Sequence, residues 1–182
     1  MLKLLPFAPA HFATLASWFA SEGELVQWGG PLVVFPLDAK QMQAMVDEGK
    51  GERPARLCWM AAEDGALVGH AQVTLNWRHG LAGLCRVGVA PEARGRGLAV
   101  PMLRLVLAAA FALPEIERAE LNVYTWNQPA IRTYERLGFV HEGVRRSSVR
   151  VGAERWDTAI MGLLRPEWGG GKGKSTTEAV RQ

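Results

Sequence analysis

The chain has 182 residues, 48% of them hydrophobic, enough for one domain with a substantial core and too apolar for a disordered polymer. Its formal charge is only +3, and the segment from Gly169 supplies +2 of that through Lys172, Lys174 and Arg181 against Glu178. The remaining body is near neutral and shows no basic stripe with interleaved aromatics, so nucleic acid is not an expected partner.

No window approaches the ~18 consecutive apolar residues of a membrane span. The start, MLKLLPFAPAHF, lacks the long apolar region and small-residue cleavage site of a secretory signal, so a cytoplasmic protein with no membrane partner is expected. Cys58 and Cys85 lie inside apolar runs without a CxxC partner, and read as buried thiols rather than redox or zinc ligands. The four histidines are scattered, and no metal site is expected.

In chain order, KLL reads as a short first strand. PAHFATLASWFA reads as a helix, with Phe12, Leu15, Ala16 and Phe19 at helical spacing. SEGELVQWGGP reads as a turn, because Gly29, Gly30 and Pro31 break a helix. Asp38 can cap a second helix, AKQMQAMVDEGK. Two strands, LCWMAA and LVGHAQVTL, flank Asp64-Gly65, a hairpin signal. AGLCRVGVA is a third strand, ending at Pro91.

MLRLVLAAAFAL follows as a helix apolar on nearly every face, expected to be buried on several sides and stopped by Pro114. RAELNVYTW is a strand. NQPAIRTYERLG is a short helix with Asn127 as N-cap, Pro129 in its first turn and Gly138 at the C-cap. FVHEGVRRSSVRV and ERWDTAIMGLL form a closing hairpin about Gly152. Residues 1–168 are expected to form the domain, and the Gly-rich segment 169–182 a disordered tail.

Chemistry concentrates at EARGRGLAVP, a Gly- and Arg-rich turn entering the long apolar helix. Three readings compete for phosphate-binding glycines. The tail sequence GKS ends like a P-loop, but Trp168 stands where its first glycine belongs. A dinucleotide fingerprint would use Gly95 and Gly97, with Glu115 or Glu117 at the acidic position. However, position 100 is valine, and residues 91–94 separate the strand from the first glycine.

The third reading takes Arg94, Gly97 and Ala99 as R-x-x-G-x-A, after VGVAP and before a long helix. A second motif, N-x-x-A-x-x-x-Y-x-x-x-G-F, places Asn127, Ala130, Tyr134, Gly138 and Phe139 downstream. With this pair, and with an element order agreeing over roughly residues 1 to 165, the chain resembles the GCN5-related N-acetyltransferase (GNAT) superfamily. YERLGFVHEGVRR in particular resembles the branch containing ribosomal-protein N-terminal acetyltransferases.

The resemblance implies an α/β (α+β) fold, a mixed, mostly antiparallel twisted sheet flanked by helices. It also implies acetyl-CoA as acetyl donor, transferred to a primary amine by direct attack in a ternary complex. Alternatives are a non-catalytic acyl-CoA-binding module and the dinucleotide enzyme above. The implied cofactor-binding positions are the main chain around Val87 and Val89, the turn Arg94, Gly95, Arg96, Gly97, Leu98 and Ala99, and Asn127. A helix N-terminus offers unpaired N–H groups and a positive dipole end to a pyrophosphate. Pro101 has no N–H, so useful donors should precede it. Tyr134 is implied as the general acid, since a phenol with an ordinary pKa of about 10 is protonated at neutral pH. Arg132 and Arg136 are candidates for a 3′-phosphate.

No motif marks a general base. Glu63, Glu120, Glu142 and Asp157 are candidates by chemistry alone. The acceptor, a small-molecule amine or a protein or peptide N-terminus, should enter between the N-terminal helices and the final hairpin, where Trp28, Trp59, Trp77, Trp126 and Trp156 are available. A homodimer is an admitted assembly.

Overall fold

The computed structural model describes residues 1–169, so the expected tail, apart from Gly169, lies outside the described residues. Seven strands form one sheet in the order β1-β2-β3-β4-β5-β7-β6. They are β1 (Leu2–Pro6), β2 (Arg56–Glu63), β3 (Ala66–Asn76), β4 (Leu81–Val89), β5 (Arg118–Tyr124), β6 (Val140–Val151) and β7 (Glu154–Leu164). Only β4 and β5 pair in parallel, joined by helix α4 (Ala99–Phe111); all other neighbours are antiparallel. The expected mixed, mostly antiparallel sheet is therefore present. A doubly wound parallel sheet is not, which removes the dinucleotide reading.

The N-terminal region differs from expectation in two places. The first helix shrinks to a 3-10 turn, Pro9–His11, and α1 (Phe12–Ala16), though Phe12 and Leu15 are buried as their spacing predicts. SEGELVQWGGP is a helix, α2 (Glu22–Gly29), not a turn. Ser21 caps it by accepting the Glu24 N–H, and the Glu24 carboxylate accepts the Ala20 N–H at 2.7 Å. Leu25, Val26 and Trp28 form its buried face. Gly29 is required by space, because a Cβ there would stand 2.5 Å from a Val33 methyl. Helix α3 (Ala39–Asp47) is capped by Asp38 through the Gln41 N–H at 2.8 Å, as expected.

Residues alternate between the two sheet faces. Met60, His70 and Gln72 face the layer of α1, α2 and α3, where Phe7, Trp28 and Met45 meet them. Gly69 faces α4, and a Cβ on it would reach within 2.5 Å of Met102 Sδ. Helix α4 buries Met102, Leu103, Val106, Leu107, Ala110 and Phe111, while Arg104, Leu105 and Ala108 are exposed. It is one-sided by burial, and the apolar character of exposed Leu105 and Ala108 hides that in the sequence. Helix α5 (Gln128–Arg136) lies beside α4; Asn127 caps it, and Gly138 ends it at φ +97°.

His70 is fully buried, and its pKa is pushed down to about 3, by desolvation first and then by the Arg86 and His11 charges. Its Nε2 lies 3.0 Å from the Gln72 amide nitrogen, which can only donate, so the neutral ring carries its proton on Nδ1, facing Met60 Sδ at 3.3 Å. The unfolded imidazole titrates near 6.5, so acid favours the unfolded chain as pH falls through that value. This group alone should make the protein about 2 kcal/mol less stable at pH 5 than at pH 7. Urea titrations at both pH values should show the slope, and His70→Gln should flatten it. An equal slope in the variant would rule His70 out as its source.

Candidate active site

The two parallel strands part before they end. β4 and β5 are in register from Leu81–Arg118 to Leu84–Leu121, and the pairing stops there although both strands continue. The cause is a bulge in β4. Gln72 faces Cys85 and His70 faces Gly88, so Ala71 alone opposes Arg86 and Val87; Arg86 takes φ +50°. A bulge bends the strand that contains it. Main-chain groups of residues 85–89 and 122–124 thus face an opening at the carboxyl ends of parallel strands, the usual ligand-binding edge of such a unit. The cavity there measures about 890 Å³.

The N-terminal ends of α4 and α5 adjoin this opening. In the turn before α4, Gly95 and Gly97 adopt φ +77° and +75°, and a Cβ on either would meet nothing within 4 Å. Glycine is thus needed here for backbone conformation, with no crowding from the protein itself. Leu98 is the N-cap residue and offers no side-chain acceptor, so the N–H groups of Ala99 and Val100 have no intrahelical partner.

The structure gathers most of the expected residues. Val87, Val89, Arg94, Ala99, Asn127 and Tyr134 line the cavity. Gly95, Arg96, Gly97 and Leu98 lie in the same turn but outside the cavity lining. Arg94 Nε donates to the Val89 carbonyl at 3.3 Å, and Arg96 is paired with Glu63. The Asn127 side-chain oxygen accepts the Ala130 N–H at 3.3 Å. Arg132 and Arg136 do not reach the cavity wall.

Tyr134 is 8% exposed, edge-on to Phe139, and its hydroxyl has no hydrogen-bond partner among the described residues. Burial, reinforced by the neighbouring Cys85, holds its phenol well above the ordinary value. Cys85 and Cys58 are half-buried rather than sealed in the core; burial pushes the Cys58 thiol up to about 12 and raises Cys85 too, so both stay thiols at neutral pH. Among the described residues, no group of three or more His, Cys, Asp or Glu side chains could hold a metal ion.

Beyond the strand opening the same cavity extends to α2 and to the residues that follow α1. Trp18, Phe19, Glu24, Gln27 and Trp28 form one wall, and Arg145, Ser148 and Thr158 of the last hairpin form another. Of the five tryptophans considered, only Trp28 lies here. Trp77 Nε1 instead donates to the Pro54 carbonyl at 2.8 Å, Trp126 stacks on Tyr124, and Trp156 meets Tyr124 edge-on. Trp18, Arg56 and Arg86 escaped sequence reading; a buried stripe on a recognised α2 would have been the signal for Trp28 and its neighbours. Tyr124 fixes α2 over this chamber through its hydroxyl, which donates to the Val26 carbonyl at 3.3 Å.

Of the four candidate bases, only Glu120 lines the cavity, and Arg118 Nε holds it at 3.2 Å. Arg96 engages Glu63, Arg118 engages Glu142, and Asp157 accepts the Ser147 N–H at 2.6 Å.

One cavity thus joins main-chain groups at the ends of β4 and β5 to side chains of α2 and the last hairpin. The Acetyltransferase (GNAT) family profile matches residues 21–139. A prophage-derived uncharacterized N-acetyltransferase of Bacillus subtilis is 29% identical over 136 residues, covering 74% of this chain and 75% of the relative. The L-amino acid N-acetyltransferase of Escherichia coli is 27% identical over 123 residues, covering 66% and 76%. The spermidine N-acetyltransferase of Vibrio cholerae, solved in complex with CoA and spermine, superposes with a TM-score of 0.77 at 20% identity, covering 91% of this chain and 96% of that one. The chain belongs to the GNAT acetyltransferase family. It is accordingly an N-acetyltransferase that uses acetyl-CoA as acyl donor. No described helix is long and apolar enough to cross a membrane.

Proposed function

We propose that acetyl-CoA lies in the opening between β4 and β5, and that a primary amine in the adjoining chamber attacks its thioester directly. The observation that carries this reading is Tyr134, whose ring is buried while its hydroxyl, bonded to no described residue, stands on the wall of a cavity beside the glycine turn. In the proposal, main-chain groups at Val87 and Val89 bind the pantetheine arm. N–H groups from Gly95 to Ala99, with Leu98 at the cap, hold the pyrophosphate. Arg94 and Arg96 add positive charge, and Asn127 contacts the cofactor while capping α5.

The neutral amine nitrogen bonds to the thioester carbon and the carbon–sulfur bond breaks. The departing thiolate takes the Tyr134 proton, the attacking nitrogen releases one to solvent water, and the Tyr134 phenolate regains one from solvent, so the charges balance. No enzyme nucleophile is acylated, which agrees with two thiols that stay protonated. The acceptor is a small amine or a peptide N-terminus.

Thiol release from acetyl-CoA across a panel of amines tests the proposal. Amine-dependent release with no burst of thiol before amine is added is expected. An amine-independent stoichiometric burst would indicate an acyl-enzyme. Tight acetyl-CoA binding without turnover of any amine would instead favour a non-catalytic acyl-CoA-binding module.

A further inference from the structure

The acceptor chamber holds one donor that the protein leaves unpaired and, beside it, a cation without a carboxylate partner. Trp28 is 8% exposed, and its Nε1 is the only buried side-chain nitrogen or oxygen among the described residues without a hydrogen-bond partner. It sits at the bulge: a Cβ on Gly88 would stand 3.4 Å from it. Beside it, the half-buried Arg86 guanidinium lies over the Trp28 ring at 5.9 Å. Arg86 has no carboxylate within salt-bridge distance among the described residues. Its one side-chain partner, Gln72 Oε1 at 3.1 Å, is shared with Arg56 at 2.9 Å.

Of the other charged side chains on the cavity wall, Arg56 pairs with Glu48 at 2.7 Å, Glu120 pairs with Arg118 and Glu24 accepts the Ala20 N–H, while Arg94 and Arg145, like Arg86, have only neutral partners, the Val89 carbonyl and Asn122 Oδ1. A partly desolvated cation and an orphaned N–H side by side call for an anionic oxygen. A polycation would be repelled there.

Resting on the acetyl-transfer reading above, we propose that the acceptor is a small amine bearing a carboxylate, as an amino acid does, and that Arg86 and Trp28 bind that carboxylate. The phosphates of CoA are not the anion in question. Trp28 and Gly88 lie on the sheet face covered by α1–α3, whereas α4, whose N-terminus offers the phosphate donors, packs on the opposite face. Arg86, at φ +50°, stands in the bulge where β4 leaves β5 and lines the same cavity as Tyr134.

The test compares free L-amino acids with their methyl esters, and with spermidine, as acceptors in the thiol-release assay. Removing the negative charge should lower kcat/KM by about 10- to 100-fold, the usual worth of a charged hydrogen bond. Arg86→Gln should collapse the acid-to-ester ratio towards one. Independently, the Trp28 indole N–H resonance should shift on titrating the wild-type protein with an N-acetyl amino acid and not with its amide.

Esters or spermidine turned over as well as the acids, or an indole that ignores the carboxylate, would overturn the proposal. Absence of thiol release with every amine would defeat the acetyl-transfer reading instead; the indole titration would then decide the carboxylate site alone.

Discussion

Replacing Tyr134 with phenylalanine is expected to lower kcat by about 10²- to 10⁴-fold, the range ascribed to a positioned general acid. Acetyl-CoA affinity, measured by calorimetry, should stay within about a factor of two, since the ring and its edge contact with Phe139 are retained. The hydroxyl has no structural partner to lose, so a stability change of more than a few tenths of a kcal/mol is not expected. Burial also sets the pH behaviour. A phenol held above its ordinary pKa of about 10 remains a proton donor through the alkaline working range. Turnover should therefore rise as the acceptor amine deprotonates and show no decline from Tyr134 below about pH 10. A wild-type basic limb between pH 8 and 9 that disappears in Tyr134→Phe would contradict this assignment, and so would an unchanged kcat.

The second large effect is expected in the turn before α4. Gly95 and Gly97 hold φ values that an L-residue adopts at a cost of about 1–2 kcal/mol each. Valine at both positions should therefore weaken acetyl-CoA binding by about 10- to 100-fold, because the turn relaxes and its N–H groups rotate away from the phosphates. A Cβ on either glycine meets no protein atom within 4 Å, so the variant should still fold. Unchanged affinity would show that the phosphates bind elsewhere.

The parts of the site that were legible in the sequence are local. A glycine turn before an apolar helix, and an Asn-capped helix with tyrosine one turn before its end, each write their geometry into a few consecutive residues. The chain of strands was equally legible because alternation and the Asp64-Gly65 turn are local signals. α2 was obscured because three glycines outweigh a short apolar stripe, while its stability comes from tertiary burial of Leu25, Val26 and Trp28.

The acceptor chamber was the least legible. Arg56, Arg86 and Trp28 are far apart in the chain, and only sheet register, together with a bulge that no residue type announces, brings them together. The acidic candidates show the same limit. Chemistry named four carboxylates, and only their partners in space separate Glu120, at the cavity wall, from Glu63, Glu142 and Asp157.

In the proposed arrangement acetyl-CoA occupies the parting of β4 and β5. Hydrogen exchange of the full chain, with and without acetyl-CoA, tests it most directly. Slowed exchange is predicted at the main-chain amides of residues 85–89 and 95–100, with β1 and α3 unaffected. Binding that leaves both of those segments exchanging as in the free protein would contradict the claim.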